Sequence, residues 1–158
     1  MSKLTKKIVL IGAESVGKTS LIARFVHSIF SDEYLTTIGV KISKKEIRIG
    51  DLEVSLVIWD IAGDMMTTKV YRNYVRGAGG ILFVHDLSRP ETYSMIVEEL
   101  EALKETGNNI PPYLLVGNKV DLIENEDMLE SQSDFHSSAK TGGNVNEAFY
   151  ELVKQSVS

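Results

Sequence analysis

Gly12-Ala13-Glu14-Ser15-Val16-Gly17-Lys18-Thr19 sets glycines, a lysine and a hydroxyl at the spacing G-x-x-x-x-G-K-T. These residue types can close a loop around an anion. Glycine lets the backbone turn so that successive N–H groups point inward. A helix starting there adds unpaired N–H groups and a positive dipole end. The candidate phosphate-binding residues are therefore Glu14, Ser15, Val16, Gly17, Lys18, Thr19 and Ser20. Lys18 would reach the β- and γ-phosphates of a nucleotide, and the Thr19 hydroxyl would sit on Mg2+. The flanks suit this reading: the apolar run Ile8–Ile11 leads in, and Leu21, Ile22, Phe25 and Val26 lead out at helical spacing.

Three further stretches could complete such a site. Asp60-Ile61-Ala62-Gly63 follows an apolar strand pattern; its carboxylate can hold Mg2+, and the Gly63 N–H can approach a γ-phosphate unhindered. Alone the motif is weak, because a strand-terminal Asp before a turn is more often a helix cap. In Asn118-Lys119-Val120-Asp121, the Asp121 carboxylate can accept two hydrogen bonds from the N1–H and amine of guanine. Adenine lacks that donor pair and would leave the carboxylate unpaired. Ser138-Ala139-Lys140 can offer a backbone N–H to the guanine O6, and the stems of Lys119 and Lys140 could pack on the base faces.

The elements that must position these residues follow from patterning. Ile8–Ile11, Ile81–Val84 and Tyr113–Val116 are short apolar runs without alternation, as in strands buried on both faces. Val40–Ile49 and Leu52–Trp59 flank Gly50-Asp51, a hairpin signal. The first arm slips phase around Lys44–Glu46, which predicts a bulge or an edge strand guarded by lysines. Ser88–Glu91 and Asn144–Glu147 read as capping boxes that open two amphipathic helices, the first closed by Gly107. Strands alternating with helices predict an open α/β sheet with ligands at the carboxyl ends of its strands, where Lys18, Asp60 and Asn118 converge.

Bulk properties narrow the function classes. The 158 residues are 43% hydrophobic and 25% charged, ordinary for one globular domain. A net charge of −5 argues against a broad nucleic-acid surface. There is no cysteine, which excludes disulfides, thiol chemistry, prenylation and palmitoylation of these residues; the Met-Ser start lacks the myristoylation glycine. No run reaches membrane-spanning length. The expectation is a cytoplasmic protein with no direct lipid anchor, reaching a membrane only through a partner. His27, His85 and His136 lack metal-ligand spacing and predict structural or surface roles. Glu98, Glu99 and Glu101 read as a solvated helix face.

Taken together, the motifs resemble the small GTPases of the Ras superfamily along essentially the whole chain, in the family's order. Thr37-Ile38-Gly39 adds a switch I signature, and Ile38-Gly39-Val40 with Tyr74–Ala78 leans towards the Rab branch. The resemblance implies a single P-loop NTPase G-domain over residues 1–158. Its sheet would be six-stranded and mostly parallel, with one antiparallel edge strand and helices on both faces. It also implies a guanine-nucleotide switch that binds GTP or GDP with Mg2+ and hydrolyses GTP. Phe30 would flank the base, Tyr34 would lie over the phosphates, and Thr37 would join Thr19 and Asp60 on Mg2+. Residues 30–40 and 61–74 would be switches that gate effectors, exchange factors and activators. Ile42, Trp59 and Tyr74 would form a hydrophobic effector triad, and Met65 and Met66 an exposed, adaptable partner surface. A monomer that binds no nucleic acid is implied.

The pattern is broken where catalysis is concerned. The catalytic candidates are Lys18, Thr37, Gly63 and Asp64, yet Asp64 stands where most of the family has the glutamine that orients attacking water. A carboxylate accepts from water but cannot donate to it, and it repels the γ-phosphate. Glu14 replaces a glycine common among Ras relatives; its side chain either points to solvent or adds negative charge at the phosphates and obstructs an arginine finger. Like charges about 4 Å apart repel by about 4 kcal/mol at an effective dielectric constant of about 20. Switch I holds no arginine that could act in cis. These departures predict intact nucleotide binding with slow hydrolysis; the alternative is a nucleotide-binding interaction module with negligible hydrolysis. A P-loop kinase or ATPase fits less well, given Asn118–Asp121 and no obvious lid or substrate domain. The short stretch between Asp121 and Ser138 predicts that the fourth crossover helix is truncated or lost.

Overall fold

The structure, a computed structural model, describes residues 2–28, 39–129 and 132–158. The described strands are β1 (Ser2–Ile11), β2 (Val40–Ile49), β3 (Leu52–Ile61), β4 (Gly80–Asp86), β5 (Tyr113–Asn118) and β6 (Phe135–His136). They form one sheet in the order β2-β3-β1-β4-β5-β6, parallel except for the antiparallel β2–β3 pair at one edge. The helices are α1 (Lys18–His27), the single turn α2 (Met65–Thr68), α3 (Pro90–Glu105) and α4 (Val145–Val157), with short 3-10 turns at Val70–Val75, Val120–Leu122 and Glu126–Met128.

The central strands carry side chains into two cores. Ile8 and Leu10 of β1 face Leu21 and Phe25 of α1 and Phe149 and Leu152 of α4. Val9 and Ile11 face Tyr71 and, on α3, Ile96 and Leu100. Every residue of β4 is buried, which is why its sequence shows no alternation. Phe25 and Phe149 stack at 4.1 Å and tie α1 to α4. Each such side chain removed from water stabilises the fold by about 1.5–3 kcal/mol.

Of the two readings of the β2 phase slip, the structure has the edge strand: β2 keeps one register from Val40↔Ile61 to Ile49↔Leu52, without a bulge. The phase slip is absorbed by Lys45, whose stem lies over Phe25 with Nζ 4.1 Å from the ring centre. Three other local expectations are revised. Neither capping box forms. Arg89, not Ser88, is the N-cap of α3, and the Ser88 hydroxyl donates instead to Asp86 Oδ1 at 2.6 Å. Asn144 adopts a left-handed conformation and sends Nδ2 to the His136 carbonyl. Met66 is buried with 4% exposure rather than presented to partners, because α2 turns it under Ile61 and Tyr71. Finally, β1 begins at Ser2, well before the apolar run: Ser2–Lys7 pair with Leu52–Val57 of β3 despite their lysines.

The shortened connection after β5 contains no α-helix among the described residues of 119–134. The β5 flank is closed by side chains instead. Asp134 Oδ2 accepts from the Leu115 N–H at 2.8 Å, so the strand edge is satisfied where β6 is too short to pair with it. His85 packs edge-on against Tyr93 and meets Ser133 Oγ at 2.6 Å. Burial pushes the His85 imidazole down to about 4, and the charge of His136 adds to this.

Candidate functional site

The carboxyl ends of β1, β3, β4 and β5 bring the sequence motifs to one rim. The loop after β1 turns back on itself, and its glycines are required by contact. Gly17 takes φ 102°, and a Cβ there would lie 2.3 Å from Asn118 Nδ2. A Cβ on Gly63 would lie 2.2 Å from the Glu14 nitrogen, so the loop after β3 presses on the loop after β1 with no room for a side chain.

Lys18 is 6% exposed and donates to the Gly12 and Ala13 carbonyls at 2.9 and 3.3 Å. Burial lowers its ammonium pKa to about 8, against the opposing pull of the Asp60, Glu14 and Asp64 carboxylates. Both acids that break the family pattern therefore act on this lysine, although each is itself exposed. The Thr19 hydroxyl donates to Asp60 Oδ2 at 2.5 Å, and Asp60 is 1% exposed. A cavity of about 40 Å³ opens beside them, lined also by Lys41 and Ser43. One hydroxyl and one carboxylate are hard oxygen donors. Among the described residues no cluster of three or more His, Cys, Asp or Glu could hold a metal alone. This donor set suits Mg2+, which takes one or two carboxylates and completes its shell with water and phosphate oxygens.

On the other side of the loop, Asn118 Nδ2 donates to the Val16 carbonyl at 3.0 Å and Lys119 Nζ to the Ser15 carbonyl at 2.8 Å. Asp121 is exposed, and its Oδ1 accepts from Ser138 Oγ at 2.7 Å. Arg24 of α1 reaches across to the Ala139 carbonyl at 2.8 Å and also holds the Lys140 carbonyl, fixing the 138–140 turn. Glu14, Ser15, Val16, Gly17, Lys18, Thr19, Ser20, Asp60, Gly63, Asn118, Lys119, Asp121, Ser138, Ala139 and Lys140 thus all lie at the strand ends, loops, 3-10 turn and helix start around this rim. Phe30, Tyr34 and Thr37 lie outside the described residues, as does most of the 30–40 switch.

This assembly of loops is matched at the level of the whole sequence. The sequence model of the Ras family fits residues 7–158. The chain belongs to the Ras family. Within that family its relatives are Rab-like: Ras-related protein Rab-13 of Mesocricetus auratus is 34% identical over 158 residues, covering 94% of this chain and 78% of the relative. Ras-related protein SEC4 of Saccharomyces cerevisiae is 36% identical over 157 residues, with 94% and 73% coverage. Ras-related protein Rab-1 of Theileria annulata is 33% identical over 159 residues, with 94% and 72% coverage. As a Rab-like small GTPase of the Ras family, the protein is a GTP-binding switch of the class that works with effectors, exchange factors and activators. No helix among the described residues is long and apolar enough to cross a membrane.

In this Ras-family chain the structure also gathers residues that the motifs do not name. Asp86, 1% exposed at the end of β4, accepts from Lys119 Nζ at 3.0 Å and lies 3.5 Å from Arg89 Nε. Its position at the carboxyl end of β4 matches that of Asp60 at the carboxyl end of β3, a signal visible in the sequence. Ser137 is fully buried and donates to Asn118 Oδ1 at 3.1 Å. Glu99 is not on a solvated face. It is 4% exposed and its carboxylate receives Tyr71 OH, Lys69 Nζ at 2.9 Å and Arg72 Nε and Nη2 at 3.0 and 2.8 Å. Burial alone would raise its pKa; the donors Tyr71, Lys69 and Arg72 more than offset this and hold the carboxyl below its ordinary range. Ile42, 50% exposed, sits opposite Trp59 in the β2–β3 ladder, and the Trp59 and Tyr74 rings are 5.6 Å apart.

Proposed function

We propose that this GTPase, acting as one G-domain, holds GTP or GDP in the rim described above and hydrolyses GTP slowly without help. The backbone N–H groups of Glu14 to Ser20 bind the phosphates and Lys18 carries the charge that meets them. Asp121, with Ser138, Ala139, Lys140 and the stem of Lys119, recognises guanine; Phe30 and Tyr34 enclose the nucleotide. Thr19, Asp60 and Thr37 are the protein ligands for Mg2+. When bound, Mg2+ supplies positive charge against the phosphate oxygens.

The observation that carries slow hydrolysis is the environment of Lys18: the carboxylates of Glu14 and Asp64 both act on it. Carboxylates near enough to act on Lys18 would oppose the negative charge that builds up on transferred phosphate, and so weaken transition-state stabilisation. Asp64 also cannot donate to an attacking water. Gly63, pressed against the Glu14 nitrogen, supports a direct link between switch II (61–74) and the phosphate loop. Partners engage through switches I and II and the surface of Ile42, Trp59 and Tyr74, and membrane recruitment of this cytoplasmic monomer comes through them.

The test is single-turnover hydrolysis of [γ-32P]GTP by the wild type and by Asp64→Gln. The substitution is expected to accelerate hydrolysis by about tenfold or more, within the range that positioning a water and its proton contributes. A fast wild type that Asp64→Gln does not accelerate overturns slow hydrolysis as the reading.

A further inference from the structure

In the proposed site the phosphate loop turns N–H groups towards phosphate, and each of its carbonyls from Gly12 to Val16 is held by a side-chain donor. In a planar trans peptide the C=O of one residue and the N–H of the next point in opposite directions. Whatever grips a carbonyl from behind therefore aims the following N–H. Lys18 takes the Gly12 and Ala13 carbonyls, Lys119 takes that of Ser15, and Asn118 takes that of Val16. All three donors come from the sequence motifs. The remaining carbonyl, that of Glu14, is taken by Arg89 Nη2 at 2.8 Å, and Arg89 belongs to none of them.

We infer that Arg89 is a positioning residue for nucleotide retention: by holding the Glu14 carbonyl outward it keeps the Ser15 N–H aimed at the phosphates. Arg89 is well placed for this. It is the N-cap of α3, its Nε lies 3.5 Å from the buried Asp86 carboxylate, and the same oxygen of Asp86 receives Lys119 Nζ at 3.0 Å. One buried carboxylate thus anchors two cations that grip consecutive peptides, Glu14–Ser15 and Ser15–Val16. Asp86 is itself fixed, since its other oxygen accepts from the Ser88 N–H at 2.8 Å and from the Ser88 hydroxyl at 2.6 Å. The failed capping box at Ser88 has a reason here: the hydroxyl serves Asp86 rather than the helix.

The inference rests on the guanine-nucleotide site proposed above and is read separately from it. Release of mant-GDP in excess GDP would be followed for the wild type, Arg89→Lys and Arg89→Met. Methionine keeps a long apolar stem without a donor; lysine keeps a charged donor without the fork. Release should quicken in the order wild type, Arg89→Lys, Arg89→Met, with the methionine variant about tenfold faster than wild type, in keeping with the loss of one charge-assisted hydrogen bond. Release from Arg89→Met within about twofold of wild type, a margin well below one such bond, overturns the assignment. So does equal acceleration in Arg89→Lys and Arg89→Met, because the donor would then be immaterial. A wild type that takes up no mant-GDP would instead overturn the nucleotide site itself.

Discussion

At the phosphate loop, buried and half-buried side chains reach across the rim to main-chain carbonyls: Lys18, Asn118, Lys119 and Arg89 each end on backbone. After β3 the side chains end on another side chain instead: one buried carboxylate, Glu99, collects Tyr71, Lys69 and Arg72. Backbone grips are insensitive to which side chains the gripped residues carry. That is how the loop tolerates Glu14 in place of a small residue. A side-chain hub depends on every member, because removing one leaves charge buried without its full set of partners. The loop after β1 is therefore a shape held by backbone grips, whereas the Lys69–Arg72 stretch is held to α3 by an ionic knot of side chains.

Substitutions can separate the two regions. The largest effect is expected at the base-recognising end: Asp121→Ala removes two charge-assisted hydrogen bonds to guanine and should weaken mant-GDP binding by about a thousandfold. Its melting temperature without nucleotide should fall only slightly, since Asp121 is exposed and the structural bond lost is the one from the Ser138 hydroxyl. Equilibrium titration with mant-GDP checks this, and an unchanged affinity would leave the rim without its base reader. Next comes Glu99→Ala, which strips Lys69, Arg72 and Tyr71 of their shared acceptor and should cost about 3 kcal/mol of stability in urea unfolding. Nucleotide affinity should stay near wild type; a parallel loss of both would mean that hub and cradle are one unit.

The smallest of the three effects sets the regions apart by pH. Folded His85 binds its proton only near pH 4, below the ordinary value of 6.5. Between those values the unfolded chain carries a proton that the folded chain does not, so stability falls as pH drops through that window. The contribution is about 2–3 kcal/mol. Glu99, with its carboxyl held low, adds a further loss in the same direction at still lower pH, as the folded hub is protonated. Urea midpoints measured from pH 7 down to 4.5 should decline in the wild type, and His85→Gln should flatten that decline. A wild-type profile that is level across the window would contradict the buried, neutral imidazole.

Much of the fold was legible because its signals are local. Gly50 marked the hairpin turn, and the unalternating runs of β1, β4 and β5 marked strands covered on both faces. The absence of an α-helix from the described residues of 119–134 showed as a short stretch of chain. The capping boxes failed for a reason no local pattern contains: Ser88 had a stronger use beside Asp86, and Asn144 beside His136. Met66 and Glu99 are buried for a reason their own stretches do not carry: a methionine after a turn and a glutamate among glutamates look exposed until a neighbouring element covers them.

By itself the sequence determined which groups are available for the proposed chemistry: glycines for a tight loop, a lysine and a hydroxyl at its end, and carboxylates at Asp60 and Asp121 with two more at Glu14 and Asp64. Residue type and short spacing suffice for that, because each group's capacity to donate, accept or carry charge is intrinsic. The tertiary structure alone decided which groups meet. Asp86, Arg89 and Glu99 acquire their roles from contacts that span from three to seventy-five positions of chain, and only the packing of α3 against the sheet and switch II brings those positions within hydrogen-bonding distance.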